Sequence, residues 1–197
     1  MQLNADDGGN RRWICVQLPE KCKPETEAAK AGFVTIADIA KERIRRAGNK
    51  IKAENPDKPL DTGFKVFRLD ESNFKVWDTQ VGEVAQLEQQ LLDFVDNVRP
   101  GAQSEDLLYE LILKTGLELN VAIEAKEAGG AKYHRIGHGE LIICLADVLT
   151  EPLLAAILQD KPEKIIVLDR AFANNDQLKT NMLLQAEQAG VKEFTVI

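Results

Sequence analysis

At 197 residues, with 44% hydrophobic and 29% charged residues, the chain has the make-up of a globular protein with room for one large domain or two small ones. A net charge of -7 argues against a chain built only to grip DNA, although a local basic patch is compatible with it. Aromatic residues, at 6%, give no aromatic-rich platform for nucleic acid or carbohydrate.

Of the three cysteines, Cys15 and Cys144 sit inside apolar runs and are expected in the core; Cys22 is expected in a loop. An odd count without tight pairing or a C-x-x-C spacing fits a reducing cytoplasm, with no disulfide framework and no metal site. No apolar run reaches the ~18 residues of a membrane span. The start, Met1-Gln2-Leu3-Asn4-Ala5-Asp6-Asp7, is acidic and lacks the apolar core of a signal peptide. A cytoplasmic location and no membrane partner are therefore expected.

In chain order, Asp6-Asp7-Gly8-Gly9-Asn10 is a turn signal, and Arg12-Trp13-Ile14-Cys15-Val16-Gln17-Leu18 reads as a buried parallel strand. Such a strand needs a neighbour that the residues before it do not supply. Thr35-Ile36-Ala37-Asp38 is a capping box, and Ile36, Ile39, Ala40, Ile44, Ala47 and Ile51 recur at helical spacing. The other face of this helix carries Lys41, Arg43, Arg45, Arg46, Lys50 and Lys52; it reads as a solvated face paired with Glu42 and Glu54, or as a phosphate contact. The stretch 62–70 alternates like a half-buried strand, so residues 11–70 predict a βαβ unit.

Val84, Leu87, Leu91, Phe94 and Val98 form a heptad-like seam over 83–99, suited to docking within the chain or to a homodimer. Ser104-Glu105-Asp106 starts a helix with Leu107, Leu108, Leu111 and Ile112 on its apolar face and Gly116 after its end. The runs 121–125 and 133–136 bracket Glu127-Ala128-Gly129-Gly130 as a hairpin. From residue 140 the pattern is strand, helix (from Thr150-Glu151-Pro152), strand (164–169), helix (175–189) and strand (193–197): a small parallel sheet with covering helices. The fold class is thus α/β, a partial βαβ unit at 1–75, a connecting helix at 76–104, and a small α/β domain with a mostly parallel sheet at 105–197.

Glu20 follows the strand at 12–18, where ligands sit in parallel α/β sheets. A carboxylate there matches the vicinal diol of a ribose; the alternative is a solvated loop acid. Asp169 and Asp176 stand at a strand end and a helix start, where a crevice or plain helix capping is expected. His134 and His138 straddle a strand end and turn, so their spacing does not put them on one face for a metal. No Gly-rich phosphate loop is present, which disfavours a nucleotide-binding reading of the tail.

Longer strings carry a resemblance. Leu3-Asn4-Ala5-Asp6-Asp7-Gly8-Gly9-Asn10-Arg11-Arg12-Trp13-Ile14-Cys15-Val16-Gln17-Leu18-Pro19-Glu20, the capped helix from Thr35 to Ala47, and Asp61-Thr62-Gly63-Phe64-Lys65-Val66-Phe67-Arg68-Leu69-Asp70-Glu71-Ser72-Asn73-Phe74 resemble the modification subunits of type III restriction–modification systems. Asp106-Leu107-Leu108-Tyr109-Glu110-Leu111 and Asn174-Asn175-Asp176-Gln177-Leu178-Lys179-Thr180-Asn181 resemble their C-terminal region. The resemblance implies an adenine-N6 DNA methyltransferase using S-adenosylmethionine, partnered by DNA and a restriction subunit. It places Glu20 on the cofactor ribose and Asp70 near the cofactor adenine; for Asp70 a turn acid ahead of Ser72-Asn73 is the alternative.

The family's Asp-Pro-Pro-Tyr and Phe-x-Gly-x-Gly motifs do not occur in these residues, and by analogy both precede Met1. No catalytic residue is therefore assigned. The chain alone is expected to be inactive and not to bind the cofactor tightly. The competing expectation is a non-enzymatic α/β module for dimerisation or subunit assembly.

Overall fold

The computed structural model of the protein describes residues 1–80, 84–93 and 96–197. The chain forms two compact units, Met1–Arg68 and Leu69–Ile197.

In the first unit the helices are α1 (Gln2–Asp7), the single turn α2 (Glu27–Lys30) and α3 (Ile36–Glu54). Thr35 starts α3 as its spacing predicts. Its hydroxyl accepts from the Asp38 N–H at 3.2 Å, and the Asp38 carboxylate accepts from the Thr35 N–H at 3.0 Å. Ala5, Gly48 and Ile51 are the buried residues of this unit. Gly48 has a packing reason: a Cβ there would lie 3.1 Å from the Thr62 Cβ, so a larger residue would require residue 62 to give way by a few tenths of an ångström. Phe64 packs beside Trp13, ring centroids 6.4 Å apart, and under the Arg45 guanidinium.

Neither strand expected in this unit is formed. Residues 12–18 and 62–70 are irregular, and among the described residues the unit's β-bridge is Lys21 with Thr35. A strand is stabilised by a partner's ladder as much as by its own side chains. Without that ladder the apolar run stays in solvent: Ile14 is 93% and Val16 92% exposed. Cys15, expected in the core, is exposed with them, whereas Cys144 is buried.

The second unit is built on a five-stranded sheet: β1 (Ile123–Ala128), β2 (Ala131–Ile136), β3 (Leu141–Cys144), β4 (Lys164–Val167) and β5 (Glu193–Val196), in sequential order. The β1–β2 and β2–β3 pairings are antiparallel and β3–β4 and β4–β5 parallel. The expected mostly parallel sheet is therefore mixed. The connections entering and leaving β2 are hairpin-length, and a parallel return needs a dozen or more residues. In the β1–β2 turn both Gly129 (φ 58°) and Gly130 (φ 78°) are left-handed, as a two-residue I′ turn demands.

Helices α4 (Val84–Asp93), α5 (Ser104–Lys114), α6 (Glu151–Gln159) and α7 (Asp176–Gln188) complete the unit, with a 3-10 turn at Asp169–Phe172. Gly116 ends α5 as its spacing predicts; its N–H bonds the Leu113 carbonyl and the Leu117 N–H bonds that of Ile112, a Schellman arrangement. Alternation in β3 and β4 divides the core. Ile142, Cys144, Ile165 and Val167 face Leu153, Leu154 and Ile157 of α6 and Met182 and Ala186 of α7. Leu141, Ile143, Ile166 and Leu168 face Leu107, Leu108, Leu111 and Ile112 of α5, with Phe74 and Val98. The result is α/β/α layering, and it explains why all of β3 is apolar: both its faces are covered. Of the heptad-like seam, α4 is helical and Val84 and Leu87 are exposed. The side chains of Leu91 and Phe94 lie outside the described residues.

Candidate functional site

Glu20 sits in the first unit, held by its backbone. Its carbonyl accepts from the Ile36 N–H at 2.9 Å, and the Cys22 N–H donates to the Val34 carbonyl at 2.9 Å. These bonds close the loop 21–35 and set Glu20 at the start of α3. The Glu20 side chain is exposed and has no hydrogen bond or ion pair among the described residues. A carboxylate with both oxygens available at a fixed backbone position fits an acceptor for the two hydroxyls of a ribose.

Asp70 belongs to the second unit and is exposed. Its Oδ1 accepts from the Glu71 N–H at 3.0 Å, so part of its accepting capacity is already used in the turn. Directly after it the chain is fastened by Glu110 of α5. That carboxylate accepts from the Ser72 hydroxyl at 2.5 Å, and from the Asn73 N–H at 2.7 Å and side-chain amide at 2.9 Å. Lys114 closes the cluster 2.9 Å from Glu110, with its ammonium 4.2 Å from the centre of the Phe74 ring. Burial alone would push the Glu110 carboxyl up; the hydrogen bonds from Ser72, Lys114 and Asn73 together outweigh it and hold the group down at about 2. Residues 73–75 then pair antiparallel with 97–99. Sequence reasoning missed Glu110, whose partners lie 37 and 38 residues away.

At the carboxyl ends of β4 and β5 lies a cavity of about 250 Å³ lined by Asp96, Asn97, Asp169, Arg170, Lys179 and Val196, among others. Its charges satisfy one another: Lys179 meets Asp169 at 2.6 Å, and Arg170 meets Asp147 at 3.1 Å and Asp96 at 3.7 Å. Asp176 only opens α7, and the cap is Asn175, whose side chain accepts from the Leu178 N–H at 2.9 Å. A second internal network joins the hairpin to α6. Asp160 takes a hydrogen bond from Tyr133 at 2.9 Å and an ion pair from Lys126 at 2.6 Å; burial and then Asp160 push the tyrosine hydroxyl up to about 12. His134 is half-buried on β2, its Nδ1 without a partner among the described residues, and burial lowers its pKa. No group of three metal-ligating side chains occurs among the described residues, and no helix is long and apolar enough to cross a membrane.

A mixed α/β chain with an exposed, backbone-fixed acid and a separately cored second unit is the class these features define. Its relatives are more specific. The chain is 31% identical over 192 residues to the EcoP15I Mod subunit of Escherichia coli, a type III restriction–modification enzyme; the match covers 93% of this chain and 27% of that protein. It is 44% identical over 69 residues to the StyLTI Mod subunit of Salmonella typhimurium, 35% of this chain and 11% of the relative. With the EcoPI Mod subunit of Escherichia phage P1 it shares 27% identity over 192 residues, 93% of this chain and 28% of the relative. The chain is thus homologous to part of the Mod subunit of type III restriction–modification enzymes, and spans about a quarter of the curated relatives it matches along its length. No protein-family model matches it.

Proposed function

We propose that the chain is the C-terminal part of a type III modification subunit, an adenine-N6 DNA methyltransferase that works with DNA and a restriction subunit in the cytoplasm. The observation that carries this reading is homology to Mod subunits along 93% of the chain. S-adenosylmethionine supplies the methyl group in such an enzyme. In this reading Glu20 binds the cofactor's ribose hydroxyls and Asp70 lies at its adenine. Residues 1–75 join the methyltransferase sheet, residues 76–104 connect, and 105–197 form the accessory domain. The exposed Ile14 and Val16 support a place for residues 12–18 in that sheet, because they form the apolar run a neighbouring strand would cover; the boundary between the compact units falls at Arg68 and Leu69.

The chain by itself is inactive on this account. Adenine methylation requires the base to be flipped and its amine held in line with the methyl donor, and no Asp-Pro-Pro-Tyr or Phe-x-Gly-x-Gly is present to do so. The direct test incubates the purified chain with labelled S-adenosylmethionine and duplex DNA. No transfer and only weak cofactor binding are expected; transfer to adenine by the chain alone overturns the inactivity.

A second reading is favoured by the complete two-faced core of Leu69–Ile197: this unit serves as an assembly module, with α4 as a homodimer seam. Val84→Asp together with Leu87→Asp should convert a dimer into monomers in light scattering, and an unchanged mass counts against the seam.

A further inference from the structure

Charge is divided unevenly along the chain. Residues 1–68 hold 14 Lys and Arg against 10 Asp and Glu, a net of +4, whereas residues 69–197 hold 11 against 22, a net of -11. In the basic unit the excess is concentrated on α3, which carries six Lys and Arg against three Asp and Glu. At 3.6 residues per turn, Arg43, Arg46 and Lys50 fall in one stripe, on the side of the helix away from the buried Gly48 and Ile51. All three are exposed, Arg46 and Lys50 with 76% of their side-chain surface free.

These cations are only loosely engaged. Arg43 has no ion pair among the described residues. Lys50 stands 3.8 Å from Glu54; only Arg46 is held closely, by Glu42 at 2.7 Å. Exposed pairs of this kind are worth roughly 0–1 kcal/mol and give way to a stronger anion. A helix rise of 1.5 Å per residue spreads the stripe over about 10 Å. Along one strand of double-stranded DNA a phosphate recurs every ~3.4 Å of axis, so about three phosphates of one groove edge span the length of the stripe. Four of the six cations of α3 meet an acid of the same helix, Lys41 with Asp38, Arg45 and Arg46 with Glu42, and Lys50 with Glu54; three acids leave the helix a surplus of three positive charges, within a molecule that is otherwise strongly acidic.

We propose that the Arg43–Arg46–Lys50 stripe of α3 contacts the phosphate backbone of double-stranded DNA. The contact is to phosphates, so it adds affinity and orientation without reading sequence. It rests on the reading above that DNA is the partner of the intact enzyme, and it assigns a DNA-facing surface to this chain itself.

The test measures anisotropy of a labelled duplex of about 30 bp with the 197-residue chain and with the triple variant Arg43→Gln/Arg46→Gln/Lys50→Gln, at roughly 25 to 200 mM salt. Glutamine keeps good helix propensity, and circular dichroism confirms that α3 is retained. The wild-type chain should bind with a log–log salt slope of about -3, near -0.9 per phosphate contacted. The triple variant should bind at least tenfold more weakly at low salt with a nearly flat slope, while Lys192→Gln in the acidic unit should change nothing. Duplex binding unchanged in the triple variant overturns the stripe while leaving DNA as a ligand of the chain. A wild-type chain that ignores duplex at the lowest salt overturns the stripe and removes DNA as a partner of this chain; the cofactor role of Glu20 is tested separately. Tighter binding of polyglutamate than of duplex also overturns the proposal, and identifies an acidic protein as the occupant.

Discussion

Glu110 shows how much one side chain organises. It is largely withdrawn from water, yet four donor groups keep it ionised, and those donors belong to the segment that follows Asp70 and to its own helix. Glu110→Ala leaves the Ser72 and Asn73 donors without an acceptor, and should cost about 1–3 kcal/mol in urea unfolding. The carboxyl is held at about 2 in the fold against an ordinary 4.5. A lowered folded-state pKa contributes stability that is complete above the unfolded value and is lost as pH falls through the folded one. Wild-type unfolding midpoints should therefore fall from about pH 4.5 towards 2, and Glu110→Gln should make that decline shallower. Equal slopes for the two proteins would remove Glu110 as its source. Little of this was legible in the sequence, because a carboxylate's partners across 37 residues leave no periodic mark.

At the scale of elements, the sequence carries local signals clearly and strand pairing weakly. The capping box at Thr35, the Gly116 helix stop, the Gly129-Gly130 turn and the strand–helix alternation from residue 140 all stand in the structure, because each depends on neighbours within a few residues. Residues 12–18 and 141–144 are both predominantly apolar in sequence, but of the two only 141–144 forms a strand. The difference lies in the ladders that β2 and β4 offer β3, and no property of residues 12–18 reports whether such ladders exist for them. The hairpin gives a sharp test. Gly130→Ala meets nothing within 4 Å and carries only the left-handed strain of φ 78°, about 1–2 kcal/mol. Gly129→Ala carries the same strain and also brings a Cβ to 2.9 Å from the Thr150 hydroxyl that caps α6. It should lose roughly 1 kcal/mol more, the usual worth of a cap, and the order of the two melting temperatures checks it.

For the whole molecule, the charge split and the two units belong together: a basic, thinly cored first unit that carries Glu20, and an acidic second unit with a core on both sheet faces. The candidate site was legible only as far as Glu20's position after an apolar run; its fixing by the Ile36 N–H came from a loop closure that spacing does not encode. The most direct test of the account is methyl transfer by a hybrid EcoP15I-type Mod subunit in which this chain replaces the segment it matches, compared with the same hybrid carrying Glu20→Ala. The account predicts adenine methylation by the hybrid, with Glu20→Ala raising KM for S-adenosylmethionine at least tenfold and leaving KM for DNA unchanged. A folded hybrid whose KM for the cofactor is the same with and without Glu20 would contradict it.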